Sequence, residues 1–186
     1  RTPLSDEAQN PDIGPGIRVG TITLSPLPSL PMIYLRLAPY ELSLLLALLC
    51  LVLVWQRRQM PWARWLIAAL FCQAIYIGGY LGELLTESLS GKIFWDNLQW
   101  LPSLSIVLFQ ALFVRAYTGR KPLPSWLLLQ LGIVPIAVTT LAFTNPWHHY
   151  IALGHRIIPG WPAAALYYEF GTVAWLTLPY WLGLQG

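Results

Sequence analysis

The residues best suited to chemistry lie inside apolar stretches. Gln73, Tyr76, Tyr80, Glu83 and Glu87 follow one another at steps of three and four, which puts all of them on one face of an α-helix. A second set, Trp95, Gln99, Ser103, Ile106 and Gln110, repeats the pattern on the next apolar stretch. With a turn near Gly91 the two stripes meet in depth. Glu87 then faces Trp95, Glu83 faces Gln99, Tyr80 faces Ser103 and Gln73 faces Gln110, because index sums across an antiparallel pair stay nearly constant. The result is a polar seam that widens toward Glu83 and Glu87. Gly78 and Gly82 form a G-x-x-x-G pair that lets another helix approach closely. Two readings of the seam stand side by side. One is structural glue, since interhelical hydrogen bonds in lipid average about 0.6 kcal/mol each. The other is a ligand pocket with its outer mouth at Glu83 and Glu87.

Further along, His148, His149 and His155 cluster with Arg156, and Glu169 follows. Histidines and a carboxylate are groups that bind zinc or sense pH. Their spacing fits no tight zinc pattern and no cysteine pair accompanies them, so interfacial or structural histidine is the plainer reading and no metal site is assigned. Cys50 and Cys72 read as small buried hydrophobes. There is no G-x-x-x-x-G-K-[ST], G-x-S-x-G, H-E-x-x-H or C-x-x-C pattern, so the chain reads as non-catalytic by itself.

The elements that carry these residues follow from composition. Of 186 residues 56% are hydrophobic and only 10% charged, with a mean hydropathy of +0.54. Soluble domains are about 25% charged, so a membrane protein is expected. A spanning helix needs about 20 apolar residues. Stretches near Leu37–Trp55, Trp65–Leu85, Leu98–Tyr117, Ser125–Phe143 and Pro162–Leu184 meet that length. The expected fold is an all-α bundle of five transmembrane helices over residues 39–186. A Pro-rich extracytoplasmic tail over residues 1–38 precedes it. Pro135 and Pro179 interrupt the fourth and fifth stretches and free the carbonyls of Leu131 and Trp175.

Charge sets the orientation. Arg57, Arg58, Arg64, Arg115, Arg120 and Lys121 fall on one side with no acidic residue among the loops there. Short basic loops stay cytoplasmic, so the N-terminus lies outside and the C-terminus inside. Trp55, Trp62, Trp65, Trp95, Trp100, Trp126, Trp147 and Trp161 fall near span ends, as an interfacial belt requires. Topology already explains the basic residues, so nucleic-acid binding is not expected.

Residues 40–186 resemble the N-terminal seven-helix membrane region of bacterial histidine kinases and related diguanylate cyclases. The resemblance rests on Phe94-Trp95 with Leu98-Gln99-Trp100, on Tyr117-Thr118-Gly119, on Thr144-Asn145 with His148, and on Gly171. It implies an input module of a signal-transduction protein in the bacterial inner membrane, working as a dimer. Trp95, Gln99, Asn145 and His148 would then be its sensing residues, with Glu83 close by. The family has seven helices, whereas five are read here, and no kinase or cyclase domain lies within these residues. A second reading is therefore an accessory subunit of a larger membrane complex. It would clamp neighbouring subunits with its tail and hold lipids, quinones or pigments against its aromatic surface. The expected partners are membrane lipids and either other membrane subunits or a second copy of the chain.

Overall fold

The computed structural model describes residues 30–160 and 163–185. Residues 1–29 of the proline-rich tail, together with Trp161 and Pro162, lie outside them. Four long helices form the body: α1 (Leu30–Trp55), α2 (Ala63–Leu85), α3 (Leu89–Tyr117) and α4 (Ser125–Phe143). Each contains a stretch long and apolar enough to cross a membrane. A short helix α5 (Asn145–His148) leads into strands β1 (Ala152–Ile158) and β2 (Ala165–Phe170), and α6 (Thr172–Gln185) follows.

The second and fourth helices match the expected stretches closely. The first begins at Leu30, inside the segment read as the Pro-rich tail. Its Pro31 falls in the first turn, where a missing N–H costs nothing, and Pro39 is carried inside the helix. The third begins nine residues before Leu98. Ser88 caps it by accepting from the Gly91 N–H at 3.2 Å, and the polar Lys92, Asp96 and Asn97 in its first turns diluted the apolar signal.

The fifth stretch is corrected. Pro162–Leu184 is not one helix: its first half is strand β2, which pairs antiparallel with β1, Ala152 opposite Phe170 and Ile158 opposite Ala165. The fold is therefore mostly helical and not all-α. A short apolar run such as Ala165–Phe170 carries no period that separates strand from buried helix. Its tyrosines and phenylalanine favour a pleated surface. The 14 residues of α6 rise about 21 Å, less than the roughly 30 Å of a hydrocarbon core.

Packing follows chain order. Trp62 meets Phe113 and Tyr117, both at 6.1 Å between ring centroids, and Trp65 stacks on Phe109 at 6.3 Å. The start of α2 thus lies beside the end of α3, as an antiparallel pair requires. The buried core lies where α3, α4 and the hairpin converge, at Leu104, Val138, Ala142, Ile151 and Ala152. By contrast, Leu42, Leu45, Leu49, Val52 and Leu53 of α1 are exposed and present an apolar surface to lipid. Pro135 leaves the Leu131 carbonyl without its helical donor, and the Tyr180 hydroxyl of α6 donates to that oxygen at 3.2 Å. A proline on one helix thereby creates the docking point for another.

Candidate functional site

The end of the bundle that holds the α2–α3 turn and the hairpin is organised around a buried lysine. The last carbonyls of a helix lack intrahelical partners and attract a cation. Lys92, a residue only 1% exposed, supplies it: its ammonium donates to the Glu83 carbonyl at 2.7 Å and to the Ala164 carbonyl at 2.6 Å. One side chain thus closes α2 and holds the approach to β2. Glu83 is likewise buried, 5% exposed, and its carboxylate accepts from the Leu166 N–H at 3.1 Å and from the Gln99 amide at 3.5 Å. Two elements and a strand edge meet on it.

Beside this knot lies a cavity of about 160 Å³ lined by Tyr76, Asp96, Gln99, Trp100, Ser103, Tyr168 and Phe170. A second space of about 320 Å³ shares Tyr76, Asp96, Gln99, Tyr168 and Phe170 and adds Tyr80 and Glu83. The wall comes from α2, α3 and β2. Alternate residues of a strand point the same way, so Tyr168 and Phe170 reach the cavity together, their rings 5.5 Å apart and edge to face. The Tyr168 hydroxyl donates to Asp96 Oδ1 at 3.2 Å. Burial, and then the nearby Asp96 carboxylate, push that hydroxyl well above the ordinary tyrosine range, so it stays a neutral donor. On the same hairpin His155 packs against Tyr168 at 5.4 Å. Burial, and then His149, lower its pKa below the ordinary histidine value.

The structure brings together five of the residues singled out in the sequence: Tyr76, Tyr80, Glu83, Gln99 and Ser103 all line these two spaces. Others sit elsewhere. Glu87 lies exposed in the turn between α2 and α3. Trp95 packs on Gly82, where an added Cβ would come within 2.7 Å of its ring. The turn falls at Thr86–Ser88 rather than Gly91, and the α2 positions that face Gln99 and Trp95 lie four to five residues earlier than expected, rather more than one helical turn. Gly79 meets Gln99, while nothing lies within 4 Å of the Cβ position of Gly78. The close approach therefore uses Gly79 and Gly82, not Gly78. Gln73 lines a groove toward α1 with Tyr40 and Ser43, and Gln110 lines one toward α4 and α6. These two do not meet.

Asn145 and His148 organise backbone. The buried Asn145 amide accepts from the N–H groups of Ile151 and Ala152 at 2.9 and 3.2 Å and donates to the Ala152 carbonyl at 2.8 Å. His148 Nδ1 accepts from the Tyr150 N–H at 3.1 Å, which leaves its proton on Nε2, 3.0 Å from Thr144 Oγ1. Asp96, Trp100, Tyr168 and Phe170 were not among the sequence candidates. Asp96 is one turn before Trp100 and Gln99 on α3, a spacing that was available; the strand residues carried no such signal. Among the described residues, no group of three His, Cys, Asp or Glu side chains is placed to hold a metal ion.

A family model described as the N-terminal 7TM region of histidine kinase matches residues 40–185. No curated protein and no solved structure matches the chain.

Proposed function

The chain belongs to the family of N-terminal 7TM regions of histidine kinases, and from that premise we propose that it is the input module of a signalling protein of the bacterial inner membrane. It binds a small extracytoplasmic ligand and is non-catalytic by itself. The observation that carries this reading is the cavity walled by α2, α3 and β2. A cavity lined by aromatic rings with a few convergent polar groups is the ordinary form of a ligand site.

The route from the cavity to the rest of the molecule is short. Phe170 forms part of the wall and meets Trp175 of α6 edge to face at 5.9 Å. Between them, Gly171 lies so close to the Tyr150 carbonyl that an added Cβ would collide with it. Its N–H donates to the Ile151 carbonyl at 2.8 Å, and the Val173 N–H to the Tyr150 carbonyl at 3.0 Å. A ligand that shifts β2 therefore pulls on α6 through a stiff joint. On this reading the N-terminus lies outside, α6 begins a fifth crossing, and the displacement reaches a cytoplasmic output domain, with two copies of the chain working together.

The test is a stimulus screen on the native gene in its own host. Transcripts are profiled across a panel of extracellular solutes in wild type, in a strain lacking the gene, and in Gln99→Ala at wild-type membrane abundance. The sensor reading expects a solute response that requires the gene and is lost with Gln99→Ala. A profile indifferent to the gene, with the chain recovered in fixed stoichiometry with other membrane subunits, would support an accessory-subunit role instead.

A further inference from the structure

The wall of the cavity narrows the chemistry of what it can hold. Tyr76, Trp100, Tyr168 and Phe170 surround it, with Asp96, Gln99 and Ser103 between them. The adjoining space adds the Glu83 carboxylate. Aromatic faces carry negative potential and attract a cation placed against them. Two acidic side chains, Asp96 and Glu83, lie beside those rings, and a carboxylate ionised next to a bound cation adds to that attraction. Their hydrogen bonds among the described residues come from neutral donors: the Tyr168 hydroxyl to Asp96, and the Gln99 amide and Leu166 N–H to Glu83.

The nearby cations of the protein are engaged elsewhere. The Lys92 ammonium donates to the backbone carbonyls of Glu83 and Ala164 and does not line either space. Arg156 lies 4.5 Å from the ring centroid of Tyr167; that ring borders only the adjoining space, and Arg156 itself lines neither. The cavity thus has rings, carboxylates and no cationic side chain in its wall.

We propose that this cavity binds a small organic ammonium ion, its alkyl groups against the aromatic rings and its charge beside Asp96. The proposal rests on the sensor reading for its biological role and names the ligand class of that site. An organic ammonium fits better than a metal ion. A hard cation requires a shell of several oxygens at close range, and rings occupy much of this wall. An alkylated ammonium has its charge spread over groups that pack against those rings.

The experiment uses the intact protein in lipid nanodiscs, titrated with tetramethylammonium and choline and followed by tryptophan fluorescence, with Trp100→Phe identifying the reporting ring. Controls are 3,3-dimethyl-1-butanol, which has the shape of choline without its charge, and sodium. Saturable binding of the ammonium ions with no response to the alcohol is expected. Asp96→Asn should weaken it by at least about tenfold, as loss of a buried charge partner does. Tyr168→Phe keeps the ring and should change affinity by less than about threefold. If Asp96→Asn does not fold, Tyr76→Leu, which keeps Trp100 as the reporter, should lose the same binding with helix content intact. Equal binding of the alcohol, saturation by sodium alone, or no binding of either ammonium ion overturns the proposal. Absent ammonium binding, with the host response still lost in Gln99→Ala, removes the ligand class and leaves the sensor reading. Ammonium binding without any host response to Gln99→Ala removes the sensor reading and leaves the site.

Discussion

Residues that share a resemblance to a family need not share a role in it. Asn145 and His148 are buried or half-buried among backbone groups they satisfy, and Gly171 is required by the closeness of a carbonyl. Gln99 alone among the sensing residues implied by that resemblance reaches the cavity. At this scale pH acts through His155. The folded chain holds its pKa below 6.5, by burial first and then by His149. The stability it contributes is whole above that value and is lost as pH falls through the folded pKa, because the unfolded chain takes up a proton that the folded one refuses. The apparent melting temperature should therefore fall from about pH 7.5 to about pH 5.5, and His155→Phe should shrink the difference. An unchanged pH slope in that variant would exclude the ring as its source.

At the scale of elements, the contact between α2 and α3 sets the site. Index sums of 178 for Gly79 with Gln99 and 177 for Gly82 with Trp95 show how far the true register lies from a turn at Gly91. A contrast between two glycines one turn apart checks this register. In Gly82→Ala the new methyl meets the Trp95 ring at 2.7 Å, and overpacking of this kind costs about 1–3 kcal/mol. Gly78→Ala meets nothing within 4 Å and gains helix propensity of about 1 kcal/mol. Thermal unfolding of the two variants in one detergent should show loss for the first and none for the second. The reverse order would place Gly78, not Gly82, at the contact.

At the scale of the whole molecule, the α2–α3 turn and the hairpin share one end of the bundle, joined by Lys92 and Glu83. The loop residues Arg57, Arg58, Arg120 and Lys121 belong to the connections at the opposite end. Single cysteines at the exposed Glu87 and Lys121 positions, in a background with Cys50 and Cys72 changed to serine, test the sidedness. A membrane-impermeant maleimide added to intact cells should label Glu87→Cys, and Lys121→Cys only after lysis. Labelling of Lys121→Cys from outside would invert the proposed orientation.

The chain's own residues determined that it enters a membrane, where α2 and α4 lie, and that Tyr76, Tyr80, Glu83, Gln99 and Ser103 share a polar region. Those properties depend on hydropathy summed over a helix length and on a period of 3.6, both local. The tertiary structure decided the rest. Tyr168 and Asp96 are 72 residues apart, and only the pairing of β2 with β1 brings them to 3.2 Å. The apolar run that holds Tyr168 reads equally as strand or helix until a partner strand satisfies its backbone. The cavity is the space left between three elements that each look complete alone, so its lining follows from how they meet.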